Sequence, residues 1–354
     1  MKKEYCNLDE YILDNFETTT INTKEEYEKF IIEEMLNDKE IYYRGFDNIR
    51  NLIPTLHREL VENSNYNKNF VSDKTPKIED YLHPNINMKS AKEVEYKILK
   101  DMINNCSLFS KETNLIDLLA TSQHYGVPTR CMDWTNLFVS LFFSIGTDKG
   151  KSKKNEYFYI LRTTRDENIV FEDFPFIREN IKDTDGTLKY PNTYPLYIQA
   201  YYQFEQINSF LPYINNYTEN AIKNNPKLKE KETTSKLYLE KVLKILYPEK
   251  NDNSIKKEAN KYWKNIQKGK IIFLKPNFNN SRIASQSGLF SISRSLDAND
   301  VYKQLSRNCT VIRINSGLIS LIENTLRSAG INSYKLIPDL SQACCTIKSK
   351  HFKK

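Results

Sequence analysis

Between Gln123 and Thr135 the chain reads Gln-His-Tyr-Gly-Val-Pro-Thr-Arg-Cys-Met-Asp-Trp-Thr. An imidazole, a guanidinium, a thiol, a carboxylate and three hydroxyls, one of them phenolic, fall within it. His124 is a general acid or base that titrates near neutrality. Arg130 suits two-point contact with phosphate or carboxylate, and Thr129 is a neighbouring hydroxyl. Asp133 can orient a histidine or stabilise a developing cation. Two further stretches carry similar groups: Tyr43-Arg44-Gly45 upstream, and Arg282, Gln286 and Gly288 downstream. The chain has 40 lysines and only 12 arginines, so Arg44, Arg130 and Arg282 in or beside turn-like motifs stand out. Lysine cannot reproduce the guanidinium fork. Gly45 and Gly288 allow close backbone approach next to these arginines. A phosphate-bearing ligand between the three stretches is one reading. The other is structural, with each arginine pairing to a carboxylate such as Asp133 to tie a loop. Cys131 is a candidate nucleophile on paper, but Arg130 and Asp133 pull its thiol in opposite directions, and a semi-buried structural thiol fits better.

These groups need elements to hold them. The pattern over 114–146 predicts two helices around a polar bend. The first runs from an Asn114 cap to Tyr125, with Gly126 in the left-handed conformation that ends it. Pro128 forbids continuation. Thr135 is the expected cap of the second, which is apolar on most sides from Leu137 to Ile145, and Gly146 its end. Upstream, Thr23 and Glu26 form a capping-box pattern that opens a helix from Lys24 to about Asn37. Ile41 to Gly45 reads as a strand, 50–62 as a short helix after Pro54, 63–90 as a long polar loop, and Lys92 to Cys106 as a helix. Glu156 to Arg162 is a strand pattern.

Residues 165–269 change character. No arginine occurs between Arg178 and Arg282, while lysine, asparagine and tyrosine accumulate. Helices are expected at 194–211, 235–247 and 254–267, which makes this a helical insertion. Strands resume at 270–275, before Ser293 and at 309–314, and a helix capped by Ser316 ends before Gly330. The expected class is α+β: a small mixed or split β-sheet surrounded by helices. The parts are 1–164, the insertion 165–269, a completing part 270–345 and a frayed basic tail 346–354.

Composition narrows the setting. Mean hydropathy is −0.63, and no run approaches the roughly 18 apolar residues of a membrane helix. The N-terminal residues lack the apolar core of a signal peptide. A soluble, cytoplasmic protein with reduced thiols is expected. None of the six cysteines sits in a CxxC and there are four histidines, so no dedicated metal site is expected. A net charge of +7 permits contact with nucleic acid without arguing for it.

The three stretches together resemble the FRG-domain family. That family takes its name from an aromatic-Arg-Gly motif near its start, as Tyr43-Arg44-Gly45 stands here. The block from Gln123 through Arg130 to Asp133-Trp134-Thr135 is similar to its second motif. Arg282, Gln286, Gly288 and Phe290, with Gly330-Ile331 and Ile337 to Leu340, resemble its later part. The likeness spans roughly 25–165 and 270–345. It implies an accessory effector of bacterial conflict, a toxin or phage-defence role. The organisation is also similar to that of ADP-ribosyltransferases, in which NAD lies in a cleft of a split sheet. On that likeness Arg44 would hold phosphate or ribose, Thr129 and Arg130 would line the pocket, and Gln286 would stand at the third position. The third block has no glutamate, so Asp133 would have to supply the negative charge. The acceptor would be a nucleic acid or a protein. Two alternatives stay open: a metal-independent nuclease or phosphotransferase using His124, and a non-catalytic module that binds a nucleotide or nucleic acid.

Overall fold

The computed structural model describes residues 5–62, 80–81, 91, 93–95, 97–98, 101–102, 119–120, 122–123, 125–145, 156–171, 224–246, 250–267, 270–274, 285–286, 288–293 and 296–336. Its strands are β1 (Glu17–Ile21), β2 (Ile41–Phe46), β3 (Cys131–Trp134), β4 (Tyr157–Thr164), β5 (Ile169–Phe171), β6 (Ile272–Leu274), β7 (Leu289–Ile292) and β8 (Thr310–Asn315). They form two four-stranded sheets, ordered β1-β8-β4-β2 and β3-β7-β6-β5. Both sheets are mixed: β1 runs parallel to β8 and β5 parallel to β6, and the other pairs are antiparallel. The class is α+β with a split sheet, as expected.

The central strand β4 shows why the sheets stack as they do. Its apolar run has no polar alternation, which a strand tolerates only when both faces are covered. Phe158 and Ile160 enter a core with Tyr27 and Phe30 of the helix Lys24–Met35, together with Leu141 and Ile322. Tyr159 and Leu161 enter the other core, with Trp134, Phe273 and Tyr302. The helices are α1 (Leu8–Asn15), α2 (Lys24–Met35), α3 (Thr55–Glu62), α4 (Leu137–Ser144), α5 (Pro226–Leu246), α6 (Asp252–Gln267), α7 (Ala298–Asn308) and α8 (Ile319–Ser328). So α2, α4 and α8 cover one face of the first sheet. The second sheet, α1 and α7 cover the other. Phe273 is the contact between sheets, 4.8 Å from the Tyr42 ring and 5.3 Å from Trp134, centroid to centroid. Among the described residues no helix is long and apolar enough to cross a membrane.

Several local expectations hold. Thr23 and Glu26 form the reciprocal capping box of α2. Gly126 has φ +82°, and the bonds from Gly126 N–H to Gln123 O and from Val127 N–H to Ser122 O make a Schellman end. Others are corrected. Residues 131–134 are not a bend but strand β3, paired with β7. Thr135 does not cap α4, because its backbone bonds to Tyr43 and its hydroxyl to the Gln286 carbonyl. Asn136 caps it instead, accepting from Val139 N–H at 3.0 Å. Asn315, not Ser316, caps the turn that leads into α8. Strand β5 lies inside the expected insertion and yet belongs to the second sheet. Helix α5 starts at Pro226, well ahead of the start expected at 235. The expected helix 194–211, most of the loop 63–90 and the tail 346–354 lie outside the described residues.

Candidate functional site

Strand periodicity divides the Tyr-Arg-Gly motif between two faces. Tyr43 and Gly45 face the helical layer. Tyr42, Arg44 and Phe46 face the second sheet. The Tyr43 hydroxyl donates to the Glu34 carboxylate, which also accepts from Arg162 Nε at 2.9 Å. Tyr43 therefore anchors α2 and does not line the cleft described next. Gly45 serves α4: a Cβ there would lie 2.1 Å from the Ser140 carbonyl oxygen and 2.8 Å from the Ser144 nitrogen. Its small size admits a helix backbone, while its own backbone borders the cleft.

Edge strands β2 and β3 touch at one bridge, where Tyr43 and Thr135 exchange N–H···O bonds of 2.9 and 2.8 Å. Beside the bridge the Arg44 side chain fills the space between the strands. Its Nε and Nη2 donate to the Asn51 carbonyl at 3.2 and 2.9 Å, and its Nη1 to the Asp133 carbonyl at 2.7 Å. One N–H on each terminal nitrogen is left over. The Asp133 carboxylate stands 3.9 Å from Nη1 and is 60% exposed, against 10% for the arginine. Burial pushes the Arg44 guanidinium down to about 10, Asp133 opposing the shift and Arg58 adding to it. Arg44 is still a cation at neutral pH.

The cleft has a volume of about 290 Å³. It is lined by Arg44, Asn51, Asp133, Thr135, Gln286 and Phe143, with Leu289 and Phe290 of β7 beside Asp133. Three of the residues singled out in the sequence, Arg44, Asp133 and Gln286, thus meet here with Gly45 and Gly288. The Gln286 amide nitrogen donates to the Leu336 carbonyl at 2.9 Å. That bond uses the amide nitrogen.

Arg130 is elsewhere. It is buried and forms a two-point pair with Glu95, Nε to Oε1 at 2.6 Å and Nη2 to Oε2. The expected Arg130–Asp133 pairing is replaced by Arg130–Glu95 and Arg44–Asp133. Thr129 donates to Gln123 Oε1 at 2.5 Å and accepts from Cys131 N–H, which supports Gln123 from behind and leaves Thr129 itself buried. Burial pushes the Cys131 thiol up to about 12, so it stays protonated at neutral pH. His124 and Arg282 lie outside the described residues, and the histidine-based reading with them.

Sequence reasoning missed Asn51, Phe143 and Glu95. Asn51 acts through its carbonyl, and a backbone acceptor has no side-chain signature. Glu95 did leave a signal: it stands in the helical series Ala91, Ile98 and Met102, a charge in an apolar stripe.

The family model described as the FRG domain matches residues 39–154. That stretch contributes Arg44 and Asp133 to the cleft and ends before Gln286 and Gly288. Neither the curated proteins nor the solved structures contain a match to the chain.

Proposed function

The chain carries an FRG domain over residues 39–154, and from that premise we propose that it is an ADP-ribosyltransferase-like enzyme that binds NAD as substrate and modifies a macromolecule. The observation that carries this reading is the meeting of Arg44, Asp133 and Gln286 in one cleft at the junction of two sheets. The groups suit the nicotinamide half of the dinucleotide. The free N–H groups of Arg44 would take a phosphate oxygen. The Gln286 amide oxygen would accept from a ribose hydroxyl. Phe143, Leu289 and Phe290 offer an apolar wall for the nicotinamide ring. The volume is at the small end of ligand clefts, roughly 300–1,000 Å³, which suits one nucleotide half and not a whole dinucleotide.

The reaction breaks the bond between C1′ of the ribose and the nicotinamide nitrogen. The electron pair leaves with the nitrogen, and C1′ acquires oxocarbenium character. An acceptor oxygen or nitrogen then attacks C1′ and gives up its proton. Asp133 is the fixed negative charge for that cation, the task glutamine cannot perform. Positioning and electrostatics supply the rate. Such an effector would act as a toxin or in phage defence, the setting the resemblance implies.

A second reading is a nucleotide-binding module without turnover. It is favoured by Arg44, three of whose five N–H groups are spent on backbone carbonyls.

The test is incubation with labelled NAD and protein, RNA or DNA acceptors, following nicotinamide release and label transfer. Asp133→Asn is expected to cut turnover on the order of 10²- to 10³-fold while NAD still binds. Arg44→Lys is expected to weaken NAD binding, because the fork is lost. Binding of NAD with no nicotinamide release by the wild-type chain would establish the second reading.

A further inference from the structure

Arg58, on α3, is a cation outside the residues that line the cleft. Its Nε donates to the Ile53 carbonyl at 3.1 Å. Its terminal nitrogens have no hydrogen bond and no ion pair among the described residues. They are not among the buried atoms sealed off without a partner, so they reach solvent-accessible space. The surroundings make this unusual. Arg50, the nearest comparison, is paired with both oxygens of Glu62 at 2.9 and 3.1 Å, and Glu62 also accepts from Tyr81 at 2.6 Å. Arg44 faces Asp133 and two carbonyls. Arg58 lies within electrostatic range of both of these arginines and of Asp133. Burial and Arg50 push its guanidinium down, and Asp133, Glu62 and Tyr81 oppose the shift. Among the described residues these three guanidiniums face two carboxylates, Asp133 and Glu62, so one positive charge is left over for a bound anion to balance.

α3 is also tied to the cleft wall. Leu56 N–H donates to the Thr129 carbonyl at 2.9 Å, and the segment before α3 supplies the Asn51 carbonyl that holds Arg44. Arg58 is therefore carried on the same framework as Arg44.

We infer that Arg58 and Arg44 together form an anion site beside Asp133, and that it takes the diphosphate of a nucleotide. This rests on the nucleotide reading of the cleft and names the part of the ligand that α3 recognises. Two guanidiniums converging on one diphosphate would place the attached ribose toward Asp133 and Gln286.

The experiment uses the full chain and measures thermal midpoints and calorimetric titrations with ADP, inorganic pyrophosphate and adenosine. The wild-type protein should bind ADP and pyrophosphate and bind adenosine far more weakly. Arg58→Met keeps the apolar stem and removes the charge. It should weaken ADP and pyrophosphate on the order of 10- to 100-fold and leave adenosine unchanged. Arg58→Lys should restore part of the affinity. ADP binding unchanged in Arg58→Met overturns the site. So does a wild-type chain indifferent to both ADP and pyrophosphate. ADP binding without nicotinamide release keeps the anion site and removes only the transfer reaction.

Discussion

Arg130 and Arg44 have the same chemistry and opposite fates. Arg130 is buried, with Nε and Nη2 paired to the two oxygens of Glu95. Arg44 lies at an opening, held by carbonyls and facing an exposed carboxylate. A buried pair is costly to break, since the survivor keeps its charge without a partner. Glu95→Gln is expected to destabilise the fold by about 3–5 kcal/mol, read as a lower midpoint of denaturant unfolding with little change in slope. A variant as stable as the wild type would show that Arg130 is not a structural group. The residue types were readable in the sequence, and so was the conflict of Glu95 with its apolar helical face. Which arginine met which acid was not. The partner of Arg130 is 35 positions away and that of Arg44 is 89.

At the scale of elements, the Tyr-Arg-Gly motif works through strand alternation. One residue faces the cleft and its two neighbours serve the helical side. Gly45 is small because the α4 backbone rests on it. Gly45→Ala must push α4 away from β2, and a loss of about 3 kcal/mol or more is expected, visible as a drop in thermal midpoint. An unchanged midpoint would mean that α4 shifts freely. Local signals located the caps of α2 and the left-handed Gly126, because those interactions close within a few residues. They failed at Cys131–Trp134, whose pairing partner β7 is more than 150 residues on. A four-residue strand needs that partner to exist, and nothing nearby announces it. The same holds for β5, a short strand whose parallel neighbour β6 lies across the helical segment.

Across the whole molecule, burial raises the ionisation of many weak acids together. The thiols of Cys131 and Cys309 and the phenols of Tyr11, Tyr43, Tyr81, Tyr159 and Tyr302 are all pushed above their ordinary values, chiefly by desolvation. A group raised in the folded state binds more protons there than in the unfolded chain. Its stability contribution is complete below the unfolded value and is lost as pH climbs toward the folded one. Stability is therefore expected to fall from about pH 9, where an unfolded thiol titrates, with Cys131 still losing its contribution toward pH 12. Arg44, depressed to about 10, and Arg58, also depressed, act in the opposite direction as two groups against several. Denaturant midpoints measured from pH 7 to 11 check this, and a midpoint constant over that range would contradict it.

The sequence by itself determined the α+β class, the FRG likeness and three stretches of chemically capable residues. Those are properties of composition, short-range periodicity and contiguous motifs. Only the tertiary structure decided which members of the stretches share a cleft. It put Arg44, Asp133 and Gln286 there, turned Tyr43 toward α2, and spent Arg130 on Glu95. The reason is physical: which face of a strand is exposed, and which charge meets which, depends on strands and helices brought together from distant parts of the chain.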